Sequence, residues 1–333
     1  MSEISGPYFE DFTLGMEYDA PAVTLTSGHA AQYQATFGDR LRLPLDHHAS
    51  AQMTGSATAL VHPLLATHVA IGQSTWASQR VKANLFYRGM LLQSQVFLGD
   101  TLHTLSKVVG LRQNRFQPGR AATGIVALEM HTRNQRGATV LQGWRCPMIP
   151  CRDDTVATGH VDLLEHIGAT PDAARLVTAA PLDWLQSKSA ASWRGARAAD
   201  FAPGDRVSVV ARDTITSAPE LVRLTLNMAM AHTDSRLSYL GDRLVYGVHV
   251  VSTAFAQLTR ALPNLVTIIA WERCDHLAPA LENDRLRSEA TLLDITTVAG
   301  GAILKLRAET WAARGASESE TRVLDWTFWA LSL

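Results

Sequence analysis

The stretch Arg243-Leu244-Val245-Tyr246-Gly247-Val248-His249-Val250-Val251-Ser252 opens the most regular apolar run of this chain, which continues to Leu262. From Val248 to Leu262 it places Val251, Phe255, Leu258 and Leu262 at helical spacing, and Pro263-Asn264 stops it. Beyond Asn264 the period changes. Leu286–Ile295 and Ala302–Trp311 contain apolar/polar alternation, separated by the turn signal Ala299-Gly300-Gly301. One long apolar helix ahead of an antiparallel meander predicts an α+β unit, with a sheet wrapped around a helix.

The first half has the same order. An apolar helix is predicted over Leu64–Ala77, and alternation returns over Thr101–Leu111 and Gly124–Thr132, before the turn Asn134-Gln135-Arg136-Gly137. Three echoes support duplication. Asp11-Phe12-Thr13-Leu14-Gly15 returns as Asp200-Phe201-Ala202-Pro203-Gly204, an offset of 189 residues. Gly99-Asp100-Thr101-Leu102 returns as Asn283-Asp284-Arg285-Leu286 at 184, and Val140-Leu141 as Val323-Leu324 at 183. Each half opens on an acidic, glycine-marked segment, Phe9–Tyr18 and Asp200–Val210. A further helix is predicted after each opening, over Ser27–Phe37 and Ala218–His232. In the second, Ser217 suits an N-cap, Pro219 the first turn, and Leu221, Leu224 and Met228 share a face. The expected domains are 1–153 and 193–333. The Ala-, Pro-, Asp- and Thr-rich stretch 154–192 reads as a linker with a short helix at Val161–Ile167.

With 333 residues, 47% hydrophobic and 18% charged, the chain has the composition of an ordinary globular protein of about two domains. Thirty Lys+Arg against 31 Asp+Glu leave no basic excess to displace counterions from nucleic acid. No run approaches ~18 apolar residues, so no membrane span is expected. The polar start Met1–Phe12 has no apolar core of a signal peptide. Cys146, Cys151 and Cys274 lack Cys-x-x-Cys spacing and are odd in number, which reads as reduced thiols in a cytoplasmic protein.

These features resemble the MaoC-type double hot-dog hydratases, and within them the mesaconyl-CoA hydratases (β-methylmalyl-CoA dehydratases). Tyr8 to Gly15 is similar to that family's opening. Asn84-Leu85-Phe86-Tyr87-Arg88-Gly89, Gly99-Asp100-Thr101-Leu102, Val108–Asn114, Arg133–Gly137 and Val140-Leu141 are similar to its first sheet. Arg243–Ser252 is the clearest match, and Val323-Leu324-Asp325-Trp326 closes the chain in the family's manner. The resemblance implies a tandem hot-dog fold, each unit a long helix clasped by a curved antiparallel sheet. It also implies reversible water addition to an α,β-unsaturated CoA thioester with a short acyl group, of the branched or carboxylated kind. No metal and no cofactor is implied beyond the CoA that the substrate carries. A tandem pair supplies the usual hot-dog dimer within one chain. Further pairing into homodimers or higher homo-oligomers is common in such folds, so assembly stays open.

Such chemistry needs a base for water, an acid for the α-carbon and a cradle for the thioester oxygen. The family carries Asp-x-x-x-x-His after its first helix, and here Asn227 and His232 stand at that place and spacing. The resemblance implies His232 as general base and acid, since histidine titrates near neutral pH. An amide cannot be the base, so Asn227 would orient water or imidazole. Asp234 is the nearest carboxylate that could share the work. The N–H of Gly247 or Val248, at a helix start, would hold the oxyanion. His249 reads as structural. In the first half Gly38-Asp39 begins the motif, but Pro44 stands where histidine belongs, so Asp39 reads as a relic or as a wall of the CoA channel. Asp46-His47-His48 lacks the spacing of a metal site. Lys82, Arg88, Lys107 and Arg112 are candidates for the CoA phosphates. A hot-dog thioesterase and a decayed acyl-CoA-binding protein remain as rival readings.

Overall fold

The computed structural model describes residues 5–315 and 319–333. In the first half the chain forms β1 (Glu17–Asp19), β2 (Val23–Thr24), α1 (Ser27–Phe37), α2 (Arg42–Leu45), α3 (His47–Thr54), α4 (Pro63–Ser74), β3 (Ala83–Leu92), β4 (Thr101–Gln113), β5 (Thr123–Asn134) and β6 (Thr139–Pro150). Two short helices, α5 (Ala173–Ala179) and α6 (Lys188–Ala191), come next. The second half repeats the first with β7 (Arg206–Ser208), β8 (Asp213–Thr214), α7 (Ala218–Leu224), α8 (Gly247–Ala261), β9 (Leu265–His276), β10 (Arg285–Val298), β11 (Gly301–Ala313) and β12 (Glu320–Ser332). This is the duplicated α+β unit expected from the repeat, arranged as the tandem hot dog that the resemblance implied.

The strands form one antiparallel sheet in the order β1-β4-β5-β6-β3-β9-β12-β11-β10-β7, with β2 on β4 and β8 on β10. The two halves join where β3 pairs β9, with Tyr87 opposite Cys274 and Met90 opposite Trp271. Alternation is visible along β4, whose Leu102, Thr104, Ser106, Val108 and Gly110 are buried while their neighbours face outward. Every residue of α4 is buried, and α8 buries Val248 through Thr259. One apolar core, including Leu64, Tyr87, Val251, Phe255, Trp271 and Trp326, runs through both halves. Burying a side chain such as Phe255 is worth about 1.5–3 kcal/mol, so a helix enclosed on all sides is held by its packing rather than by propensity.

Three sequence expectations fail here. Ala218–His232 is not one helix: α7 ends at Leu224, Leu226 takes a φ of 54°, and only a 3-10 turn reforms at Met230–His232. The reason is tertiary. A Cβ on Gly72 would stand 1.8 Å from the Thr225 carbonyl oxygen, so that oxygen is pressed against α4. Ser217, with φ 56°, makes no side-chain cap. In the stretch 154–192 no helix forms at Val161–Ile167; α5 and α6 lie further on. That stretch also packs closely. Leu176, Trp184, Leu185 and Ala190 join Val266, Ile269 and Trp329 in a second apolar cluster.

Candidate active site

The break after α7 matters because it lets the chain turn across the N-terminus of α8. Tyr246 stands at the N-cap of that helix and Gly247 is its first residue. A cavity of about 250 Å³ opens there, lined from the second half by Asn227, His232, Tyr246, Gly247 and His276. From the first half Lys82, Asn84, Tyr87 and Arg145 complete it. Among the described residues no Asp or Glu lines it.

The backbone settles the protonation of His232. Its Nδ1 lies 2.9 Å from the Leu244 carbonyl oxygen, which can only accept, so Nδ1 carries the proton. A neutral ring then keeps a lone pair on Nε2. Burial is the main reason its pKa falls to about 4; the Leu244 bond opposes the fall and the Arg145 charge adds to it. The ring is 8% exposed and stacks at a tilt on Tyr246, 5.2 Å between centroids.

Asn227 is oriented by the same logic. Its Oδ1 accepts from the Ala229 N–H at 2.8 Å, which turns Nδ2 toward the Tyr246 hydroxyl. Neither Nδ2 nor that hydroxyl makes a hydrogen bond of good geometry, so both keep capacity for a ligand. Burial pushes the Tyr246 phenol well above its usual range and keeps it a donor.

The structure thus brings Asn227, His232 and Gly247 together. It does not bring Asp234. That carboxylate pairs with Arg236 at 2.6 Å, caps the 3-10 turn Ser235–Leu237 and lies outside the cavity lining. Val248 has its side chain wholly in the core, leaving only its N–H near the site. The first N–H groups of a helix have no intrahelical partner, so those of Gly247 and Val248 are open to an anion.

Gly247 is glycine for a reason the sequence did not reveal. A Cβ there would stand 2.5 Å from Cε1 and Nε2 of His276. His276, at the end of β9, was missed because a histidine closing an apolar strand carries no local signal. Its Nε2 is enclosed without a partner, and its ring meets Tyr87 edge-on at 5.9 Å. Burial lowers its pKa to about 4, Asp275 opposing and His232 reinforcing. Arg145, also missed, is 2% exposed in the middle of β6.

Among the basic candidates, Arg88 pairs with Asp275 at 2.6 Å, Lys107 with Glu17 at 3.6 Å and Arg112 with Glu165 at 2.8 Å. Lys82 alone of the four lines the cavity. With Tyr239 it also borders a second hollow of about 870 Å³, walled by Arg115, Phe116 and Arg120 of the β4–β5 turn.

The twin position in the first half is packed shut. Asp39 accepts from the Leu41 N–H at 2.7 Å and lies 3.3 Å from His62, with both side chains buried. Tyr33 covers His62 at 4.8 Å and donates to Ser252 Oγ of α8 at 2.9 Å. Asp39 is 1% exposed and lines neither of the two cavities described above, which gives no support to a place on the wall of a CoA channel. Asp46 caps α3 through the His48 and Ala49 N–H groups, and the His249 ring meets the Thr216 carbonyl at 2.8 Å and the Thr253 hydroxyl.

No family model matches the chain. It is 30% identical over 347 residues to mesaconyl-CoA hydratase of Cereibacter sphaeroides, covering 99% of each chain. It is 30% identical over 308 residues to β-methylmalyl-CoA dehydratase of Chloroflexus aurantiacus, covering 89% of this chain and 84% of that one. A Mycobacterium tuberculosis protein with a double hot-dog fold superposes with a TM-score of 0.90 at 43% identity, covering 100% of both chains. A C. aurantiacus protein described as a MaoC-domain dehydratase gives 0.83 at 26%, covering 100% of this chain and 99% of the other. Fold and site together define a double hot-dog protein of the MaoC-like class. The chain belongs to the hydratase family of that class, the one that holds mesaconyl-CoA hydratase. No helix among the described residues is long and apolar enough to cross a membrane.

Proposed function

We propose that this chain adds water reversibly to an α,β-unsaturated acyl-CoA, and that the acyl group is short, as in mesaconyl-CoA. One observation carries the reading. His232 is locked by the Leu244 carbonyl so that Nε2 keeps its lone pair, and the ring lines a cavity at the start of α8 that no Asp or Glu among the described residues lines.

Water held between His232 Nε2 and the Asn227 amide gives a proton to the imidazole as its oxygen bonds to the β-carbon. The displaced electron pair moves to the thioester oxygen, which faces the N–H groups of Gly247 and Val248 and the positive end of α8. The imidazolium then returns a proton to the α-carbon and the carbonyl reforms. These steps shift protons and electron pairs with no net change of oxidation state, so the reaction calls for no redox partner. The pantetheine would pass Lys82 and Tyr239, and the nucleotide would reach the hollow walled by Arg115, Phe116 and Arg120. Three buried, unpaired cysteines suit a reducing compartment, which we take to be the cytoplasm. A thioesterase would want a carboxylate near the helix, and the cavity has none among the described residues.

Enoyl absorbance is to be followed with mesaconyl-CoA and crotonyl-CoA, wild type beside His232→Gln. Turnover by the wild type with a loss of about 10²–10⁴-fold in the variant is expected. Binding of both thioesters without turnover would make the chain a binding protein, and release of free thiol a thioesterase.

A further inference from the structure

His276 closes β9 with a ring nitrogen that no protein group meets. Its Nε2 is enclosed and makes no hydrogen bond, although buried polar groups are almost always paired. The edge of the ring that carries Cε1 and Nε2 lies over Gly247, 2.5 Å from where a Cβ would stand, and both residues line the cavity at the start of α8. Tyr87 meets the ring edge-on at 5.9 Å, and Leu324 of β12 stands opposite His276 in the sheet. Packing from both halves therefore fixes where that nitrogen lies.

Burial holds the ring neutral near pH 7, with a pKa of about 4, so it carries one proton and one lone pair. Its polar surroundings are mostly donors. The N–H groups of Gly247 and Val248 have no intrahelical partner, Lys82 and Arg145 offer only N–H groups, and the Tyr246 phenol stays protonated. No Asp or Glu among the described residues lines the cavity. A lone pair on Nε2 would draw the nearby Gly247 N–H toward it, yet no such bond forms. A proton on Nε2 has no acceptor in the protein, and an incoming carbonyl oxygen supplies one. His232 is the converse case: its proton is held on Nδ1 by the Leu244 carbonyl, so its Nε2 has the lone pair.

We propose that His276 is a further catalytic residue, its Nε2–H acting as a third donor to the thioester oxygen beside the N–H groups of Gly247 and Val248. This rests on the hydratase reading and deepens it. The two histidines divide the work: His232 moves protons, and His276 holds charge. A neutral imidazole can polarise a carbonyl without giving up its proton. As the electron pair of the double bond reaches the thioester oxygen, the hydrogen bond from Nε2 strengthens. When the α-carbon is protonated the pair returns and the bond relaxes, so His276 ends each turnover as it began. Any side chain at position 247 would displace this donor together with the ring.

Two variants separate a donor from a packing residue. His276→Leu keeps apolar bulk and removes the N–H, whereas His276→Gln returns an amide N–H near the place of Nε2. With crotonyl-CoA and mesaconyl-CoA, kcat should fall about 10²–10³-fold in the leucine variant and recover in part in the glutamine variant. The saturated counterparts, butyryl-CoA and methylsuccinyl-CoA, read binding alone, and their Kd should change far less than kcat. With ¹³C at the thioester carbon, their carbonyl stretch should move to lower frequency on binding to the wild type, and by less in His276→Leu. An unchanged kcat in His276→Leu overturns the proposal. So does a stretch shifted equally in wild type and leucine variant, or an equal loss of kcat in both variants, which would mark a packing role. If His276→Leu does not fold, His276→Asn, whose amide is too short to reach, takes its place beside the glutamine variant. Hydration that His232→Gln removes and His276→Leu spares would sink the donor and leave the hydratase standing. A wild type that hydrates neither substrate and leaves the carbonyl stretch unmoved would sink both.

Discussion

The ring of His276 fills the space in which a side chain on Gly247 would begin, 2.5 Å from the position of its Cβ. Strand β9 therefore ends against the first turn of the helix whose N–H groups face the cavity. Gly247→Ala must push either the ring or the helix start. The expected result is a stability loss of about 1–3 kcal/mol and a lower kcat. Combining it with His276→Ala should recover most of the stability, because the clash is gone. Urea unfolding of the two single variants and the double variant checks this, and additive losses would show that the two positions do not interact.

His232 predicts the pH behaviour. Its pKa is about 4 in the folded chain against 6.5 when exposed. As a base it must be unprotonated, so kcat/KM should be level from about pH 6 to 8 and fall on an acid limb near 4. Stability has the matching sign. A group whose pKa is depressed by folding contributes fully above its unfolded value, and that contribution is lost as the pH falls from 6.5 toward 4. For His232 alone this is on the order of 3 kcal/mol. Denaturation midpoints between pH 7 and 4 measure it, and His232→Gln should flatten the slope.

Asn227→Asp would place a carboxylate where the amide now faces Tyr246. A neighbouring negative charge favours the imidazolium, so the acid limb should move to higher pH. The Ala229 N–H would still be satisfied by the aspartate. A pH profile of kcat/KM decides this, and an unmoved limb would mean that residue 227 lies too far from the imidazole to share its water.

Asp39 and Asp234 should separate stability from activity. Asp39→Ala removes the buried partner of the Leu41 N–H and of His62, at a cost of about 3 kcal/mol, with kcat preserved because the twin site is packed shut. Asp234→Ala removes a surface ion pair with Arg236 and should leave both quantities nearly unchanged. Thermal unfolding beside a hydration assay covers both. A large loss of kcat in Asp234→Ala would restore it to the site.

The helices and strands were legible because each carries its own period. Leu64–Ala77 and Val248–Leu262 mark the two buried helices to within three residues, and Thr101–Leu111 lies inside β4. The helix that failed, Ala218–His232, failed for a reason outside itself, the Thr225 carbonyl pressed on Gly72 of α4. His232 and Asn227 were found only because a family resemblance directed attention to their spacing. Arg145 and His276 had no such spacing. They come from β6 and β9, strands that belong to different halves, and meet only when β3 pairs with both.

The sequence by itself therefore determined that two similar α+β units would form, since hydrophobic period and turn residues act over a few neighbours and need no partner. Tertiary structure decided which histidine tautomer faces the cavity, why Gly247 is glycine, and that Arg145 would be buried against Ser74, Ser78 and Asn84. Those properties depend on contacts between residues far apart in the chain, whose energies exist only once the sheet has closed around the helices.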